Sequence, residues 1–414
     1  MAEPSPHALI EGVWRVEATR IVAFVTRLVR DVGVAEEIAQ DCLVSALEQW
    51  PVRGTPQNPA AWLMTTARNR AVDRIRRDAK LAENLAELGH RIQDHDEGLP
   101  IDPDAIEDDV LRLIFVACHP VLPTPGRVAL ALRLLGGLST AEIARAFLVP
   151  EATVAQRISR AKRTLAQQRV PFEVPAPDVR PARLASVLEV TYLIFNEGYS
   201  ASSGDDLLRP ALCQDALHLG RTLAGLMPQE PEVHGLVALM EIQASRLASR
   251  TGDDGEPVPL DRQNRGRWDQ LLIRRGLAAL EKAQELGGTF GPYVLQASIA
   301  ACHARARSPE ETDWMRIAAL YQVLFTVLPS PVVALNRAVA VGRALGPQAG
   351  LEAVEALAEE PALRDYHLLP GVRADLLARL GRADEARAQF GLAASMATNA
   401  REREALLARA RELS

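Results

Sequence analysis

Residues 139–165 read STAEIARAFLVPEATVAQRISRAKRTL. Two short amphipathic stretches meet at Leu148-Val149-Pro150, and the second carries Arg157, Arg160, Lys162 and Arg163 with no acid after Glu151. Ser139 is placed to cap the first stretch, and Glu142 three residues later completes a capping box. That helix is expected to bury Ile143 with Phe147 or Ala146. Proline disfavours a continuing helix but is welcome at a new start, so LVP reads as the turn. In the second helix Val154, Ile158, Ala161 and Leu165 recur at steps of four, three and four, which makes one buried stripe. Glu151, Thr153, Gln156, Arg157 and Arg160 then point away from it. Polar residues near a helix start and basic residues along its flank are what a major-groove helix needs for base edges and phosphates. The stretch fits a helix-turn-helix; the plainer alternative is a pair of bundle helices that are basic at one end.

A second basic element lies upstream. AAWLMTTARNRAVDRIRR begins at residue 60, after the proline-rich interruption PVRGTPQNP at 51–59, which reads as a loop. Leu63, Ala67, Ala71 and Ile75 can face a core, while Arg68, Arg70, Arg74, Arg76, Arg77 and Lys80 put six cations in thirteen residues against Asp73 and Asp78. In a chain of net charge −6, such a cluster fits a polyanion, or else a lattice of internal salt bridges. Residues 8–50 are helical by pattern, with Ile21, Phe24, Val25, Leu28 and Val29, then Ile38, Leu43, Ala46 and Leu47, at three- and four-residue steps. Eight acids and no Lys or Arg between 94 and 109 read as a solvated linker.

Residues 110–170 make a second helical unit, and the proline-bearing 171–183 separates it from the rest. Eleven more helices are expected between 184 and 412, with one long interruption at 251–266. Short connections and small-residue faces, clearest in LLARLGRADEARAQFGLAASM at 376–396, suggest a helical-repeat domain. The class is all-α.

Composition narrows the functions. At 414 residues, two or more domains are expected. Four scattered cysteines, Cys42, Cys118, Cys213 and Cys302, build neither a disulfide framework nor a zinc site, and His119 and His303 lack partner ligands at useful spacing. No phosphate loop or paired-carboxylate motif supports a helical enzyme, so no cofactor or metal is expected. No apolar run is long enough to span a membrane, and the first residues do not read as an export signal, so a cytoplasmic location is expected.

The two basic units in this order resemble bacterial sigma factors of the extracytoplasmic-function (ECF) type, promoter-recognition subunits of RNA polymerase. VAEEIAQDCLVSALEQW at 34–50 resembles their polymerase-clamp-binding part, AAWLMTTARNRAVDRIRR their downstream-element reader, and 122–165 their upstream-element domain. Pro150 stands where a small hydroxyl residue is common. TYLIFNEGYSASSG at 191–204, NRGRWD at 264–269 and the repeats at 331–395 resemble the subgroup with a C-terminal tetratricopeptide-like (TPR-like) extension, which implies regulation without a membrane-bound anti-sigma protein.

The resemblance implies a first sigma domain at 8–93, the acidic linker at 94–109 and a helix-turn-helix sigma domain at 110–170. After the linker at 171–183 comes a TPR-like regulatory domain at 184–414. Its implied partners are core RNA polymerase and promoter DNA, with no membrane, and an intramolecular contact between the C-terminal and sigma domains. Ala35, Glu36, Glu37, Ile38, Gln40 and Asp41 carry over as polymerase contacts. Asn58, Trp62, Arg68, Asn69, Asp73, Arg76 and Arg77 carry over as the surroundings of the melted downstream element. Glu151, Thr153, Gln156, Arg157, Arg160, Lys162 and Arg163 carry over as upstream readers. Asn196, Glu197, Tyr199, Arg267, Trp268 and Asp269 hold more polar detail than a repeat requires and are expected to lock the tail to itself, hold it against the sigma domains, or bind a signal. An ordinary duplex-DNA regulator and a pure repeat scaffold remain as rivals.

Overall fold

A computed structural model describes residues 6–86, 103–201, 205–252 and 255–413. They form α-helices, four short 3-10 segments and one isolated bridge, Thr251 to Pro257, so the architecture is all-α. The chain divides into two compact units, residues 1–190 and 191–414.

In the first unit, α1 (Pro6–Val29), α2 (Val32–Arg53) and α3 (Pro59–Ala86) form a bundle. Its core is the expected periodic set: Ile21, Phe24 and Val25 from α1, Ile38 and Ala46 from α2, and Leu63, Ala67 and Ala71 from α3, whereas Ile75 is 42% exposed. Asp31 caps α2 by accepting from the Gly33 and Val34 amides at 2.7 and 3.0 Å. The expected loop at 51–59 is shorter than the prolines suggest, because α2 continues through Pro51 to Arg53. Gly54 ends it at φ +84, with its N–H donated back to the Trp50 carbonyl at 3.0 Å.

Next come α4 (Pro103–Ala117), α5 (Thr124–Leu134), α6 (Thr140–Phe147), α7 (Glu151–Gln167) and α8 (Arg180–Tyr199), the last crossing into the second unit. Of the acidic stretch at 94–109, residues 94–102 lie outside the described residues, and 103–109 belong to α4 rather than to a linker. A proline at the first position and acids in the first turns suit a helix start. Asp109 is fully buried, with Arg27 of α1 at 3.1 Å and Arg112 at 2.6 Å. Burial pushes its carboxyl above the ordinary aspartate range despite the two arginines.

The second unit continues with α9 (Pro210–Leu226), α10 (Pro231–Ala244), α11 (Gln270–Glu285), α12 (Pro292–Arg305), α13 (Trp314–Val327) and α14 (Pro331–Ala344). It ends with α15 (Pro347–Glu355), α16 (Leu368–Arg379), α17 (Ala383–Met396) and α18 (Ala400–Glu412). All the helices expected beyond residue 184 are present. Each core cluster shares a helix with the next: Val294, Ala297 and Ala301 of α12 pack with α10 and α11, while Leu295, Ile299 and Cys302 on its other face pack with α13 and α14. Leu335 and Ala338 of α14 then join α15, α16 and α17. Such nearest-neighbour burial is the logic of a helical-repeat, TPR-like stack.

Gly235 lets α10 and α12 approach closely: a Cβ there would lie 2.6 Å from Val294 Cγ2 and 2.8 Å from the Val294 backbone nitrogen. Backbone cannot swing aside, so Gly235→Ala is expected to destabilise the second unit by about 1–3 kcal/mol. Urea unfolding followed by circular dichroism measures it.

Candidate nucleic-acid and polymerase interfaces

The helix-turn-helix is built as its sequence reads. Ser139 Oγ accepts from the Glu142 amide at 3.2 Å, and the Glu142 carboxylate accepts from the Ser139 amide at 2.7 Å. Ser139→Ala is expected to lower stability by about 1 kcal/mol, a shift readable by chemical denaturation. Ile143 is buried with Ala144, while Ala146 and Phe147 are half-buried. The turn is made by Leu148, whose φ of +48 is left-handed, and α7 starts after Pro150.

Val154, Ile158, Ala161 and Leu165 all face the core. Glu151, Gln156, Arg160 and Arg163 are exposed, and Thr153, Arg157 and Lys162 are half-buried. Lys162 does not stand with the others: its Nζ lies 2.5 Å from Glu36 of α2.

On α3, Asn58 caps the helix by accepting from the Ala61 amide at 3.0 Å. Trp62 is half-buried, edge-on to the buried Trp50 at 5.5 Å. Two of the basic residues are engaged locally: Arg70 binds Asp41 at 3.1 Å and Ser45 at 2.7 Å, and Arg74 binds Asp78 at 3.0 Å. Arg77 donates to the Asp73 carbonyl at 3.2 Å. Arg68 and Arg76 pair with no carboxylate among the described residues, and Asn69, Asp73, Arg76 and Arg77 are exposed. The side chain of Lys80 lies outside the described residues. Glu37, Ile38, Asp41, Arg70, Asp73, Arg74 and Arg77 line an open groove of about 480 Å³ between α2 and α3.

The expected polymerase contacts divide. Glu37, Gln40 and Asp41 are exposed, while Ala35, Glu36 and Ile38 are buried. Glu36 is 6% exposed, with one oxygen 2.6 Å from Arg133 Nε of α5 and the other on Lys162 of α7. Burial raises its carboxyl, but Lys162 and Arg133 more than offset this and hold it below the ordinary glutamate value. Thr19 of α1 also donates to the Leu134 and Leu135 carbonyls at 3.2 Å. Polar ties thus hold the first bundle and the helix-turn-helix together as one packed unit. Arg133 was not singled out from sequence, although it is the one charge inside the apolar run VALALRLL, and that was its signal.

In the second unit Glu197 pairs with Arg209, Tyr199 stacks on Phe195 at 5.6 Å, and Trp268 is 4% exposed. Asp269 caps α11 through the Leu271 and Leu272 amides at 2.8 and 3.0 Å. Arg267 is exposed, and Asn196 is half-buried. Cys42, Cys118, Cys213 and Cys302 are free and buried, and the described residues hold no cluster of three potential metal ligands. No helix among them is long and apolar enough to cross a membrane.

A helix-turn-helix whose second helix exposes Arg160 and Arg163 is thus packed on a bundle whose third helix is also basic. Comparison with known proteins specifies the class. Residues 14–81 match sigma-70 region 2, residues 112–165 match sigma-70 region 4, and residues 183–284 match a family of unknown function, DUF6596. The uncharacterized protein R00370 of Rhizobium meliloti (strain 1021) is 46% identical over 91% of this chain and 89% of its own length. The ECF RNA polymerase sigma factor SigK of Mycobacterium ulcerans (strain Agy99) is 32% identical over 36% of this chain and 78% of its own length. The factor of the same name from Mycobacterium tuberculosis (strain ATCC 25177 / H37Ra) is 30% identical over 36% of this chain and 78% of its own length. No solved structure matches. The chain belongs to the ECF RNA polymerase sigma factor family, a non-catalytic one, and carries a large C-terminal helical-repeat extension.

Proposed function

We propose that this protein binds core RNA polymerase, directs it to promoters through α3 and α7, and helps separate the strands at the downstream element. The observation that carries the reading is the α7 surface: a fully buried apolar stripe, with Gln156, Arg157, Arg160 and Arg163 left on the outside. Glu37, Gln40 and Asp41, beside the α2–α3 groove, are the polymerase-facing residues, and Arg68, Arg76 and Arg77 meet the downstream phosphates. Asn58 and Trp62 stand at the start of α3, where an unpaired base can be held by a polar group and an aromatic face. The TPR-like extension modulates this activity, through contact with the sigma regions, from within the same chain.

The packed state of the first unit is a closed form. Glu36 and Lys162 are each assigned an external partner, and each is engaged with the other instead. Productive binding therefore requires α7 to leave α2.

The experiment is run-off transcription from a promoter library that includes the region upstream of the protein's own gene, with core polymerase and the full chain. Transcripts that start at defined sites and are absent with core polymerase alone are the expected result. Duplex binding by the chain alone, without polymerase-dependent transcripts, overturns the reading in favour of an ordinary regulator.

A further inference from the structure

The segment after α10 and the NRGRWD stretch gather three arginines that the sigma reading does not use. Arg246 and Arg250 follow the end of α10, and Arg265 lies in the 3-10 segment Arg265–Arg267. The two stretches are tied by the Asp269 amide donating to the Ser245 carbonyl at 2.9 Å and by Ser249 Oγ donating to the Asn264 carbonyl at 3.3 Å. Two guanidiniums flank the buried Trp268 ring, Arg246 at 5.4 Å and Arg265 at 5.0 Å, and Arg250 lies 3.8 Å over the Tyr199 ring.

Their hydrogen bonds do not balance their charge. Arg265 donates to the His303 and Ala306 carbonyls, both at 2.6 Å, and to Thr312 at 3.1 Å. Among the described residues Arg246 donates only through Nε, to Gln263 Oε1 at 3.2 Å, and the Arg250 guanidinium finds no hydrogen-bond acceptor. No carboxylate among the described residues lies within 4.0 Å of any of the three. Four buried nitrogens nearby have no hydrogen-bond partner among the described residues: Arg250 Nε, Arg265 Nε, Trp268 Nε1 and His303 Nδ1. Burial, with Arg250 and Arg265 beside it, holds Arg246 below its ordinary range, and burial with Arg246 and Arg265 pushes His303 down to about 4.

Groups of like charge are not held together half-buried without compensation, and guanidinium forks fixed over aromatic rings are preorganised for a tetrahedral oxyanion. We propose that Arg246 and Arg250, backed by Trp268 and Arg265, form a binding site for a small phosphate-type anion: inorganic phosphate, pyrophosphate or a phosphate monoester. A multivalent anion fits better than a single carboxylate because the site presents three cations. The site lies in the part of the chain matching the family of unknown function, and the proposal does not depend on polymerase or DNA.

The test is isothermal titration of the full chain with phosphate and with pyrophosphate, with sodium chloride and acetate titrations at matched ionic strength. Saturable binding of a phosphate species is expected, weakened about tenfold or more in Arg250→Met and in Arg246→Met. Each variant is checked for unchanged circular dichroism, and Arg250→Lys serves as a second variant that keeps the charge. Binding is expected to persist in the Arg157→Ala/Arg160→Ala chain, which places it away from α7. No saturable binding of either anion by the wild-type chain overturns the site, as does equal binding by folded Arg246→Met and Arg250→Met chains. Acetate as tight as phosphate overturns the choice of ligand.

Discussion

Alanine at Arg157 and Arg160 together is expected to weaken promoter binding about 100-fold and to remove promoter-specific transcription at moderate salt. Two charge-assisted contacts to phosphate, each contributing about 1.5 kcal/mol, give about 3 kcal/mol, which is that factor. The slope of log affinity against log salt should fall by about 1.8, because each neutralised phosphate contributes about 0.9. The fold should not notice. Neither arginine belongs to the Val154, Ile158, Ala161 and Leu165 stripe, and neither pairs with a carboxylate among the described residues, so stability should stay within about 0.5 kcal/mol. Gln156→Ala serves as the contrast: it should alter which promoters are chosen and leave the salt slope alone. Filter binding by the polymerase complex across a salt series, with thermal unfolding of each variant, measures all three quantities. An unchanged salt slope in the double variant would remove α7 from the DNA.

What the sequence displays and what it conceals differ for a physical reason. The α7 stripe and the Ser139–Glu142 box depend on residues three or four apart, and a helix converts such spacing directly into a face. The same holds for eight of the helices from α9 to α18, whose starts are marked by proline or a capping residue in Pro210, Pro231, Asp269, Pro292, Asp313, Pro331, Pro347 and Asn399. Charge counting misleads where one residue type serves two environments. Asp109 closes a run of acids that reads as solvated, yet it is buried against Arg27 and Arg112. Six cations on α3 read as either a polyanion-binding face or a salt-bridge lattice, and counting them does not show that Arg70 and Arg74 are the ones engaged by Asp41 and Asp78. Non-local pairs leave no periodic mark. Glu36 and Arg133 are 97 residues apart, and nothing in VAEEIAQ indicates that its first glutamate is buried while its second is exposed. The arginines at 246, 250 and 265 meet only because a 3-10 segment folds back beside the end of α10.

Glu36 supplies the second large effect. Its carboxylate is almost wholly buried between Arg133 and Lys162, whose side chains are themselves mostly covered. Arg133→Met leaves that charge with a single cation, and breaking a buried pair from one side is expected to cost about 3 kcal/mol in the first unit. Glu36→Gln keeps the shape and an acceptor and removes the charge, so its cost should be smaller, about 1 kcal/mol. The acid limb has a defined sign. The folded Glu36 value is below the ordinary 4.5, so its stabilisation is complete above 4.5 and is lost as pH falls through the folded value. Asp109 runs the other way, because its folded value is raised above 3.8: its contribution is present at low pH and is lost as pH rises through the folded value. Acidification should therefore carry two opposing limbs, a first that favours the folded unit through Asp109 and a second that disfavours it through Glu36. Glu36→Gln should abolish the second limb only, as read by urea unfolding at a series of pH values. The functional side separates by choice of partner. Lys162→Met removes a cation from the closed form while leaving Glu36 available, so affinity for core polymerase without DNA should rise, by about tenfold if the pair contributes about 1.4 kcal/mol to closure. Glu36→Gln removes the closure and a proposed polymerase contact together, so its affinity should not rise with it. Equal polymerase affinity in the wild-type and Lys162→Met chains would mean that the packed unit binds polymerase without opening.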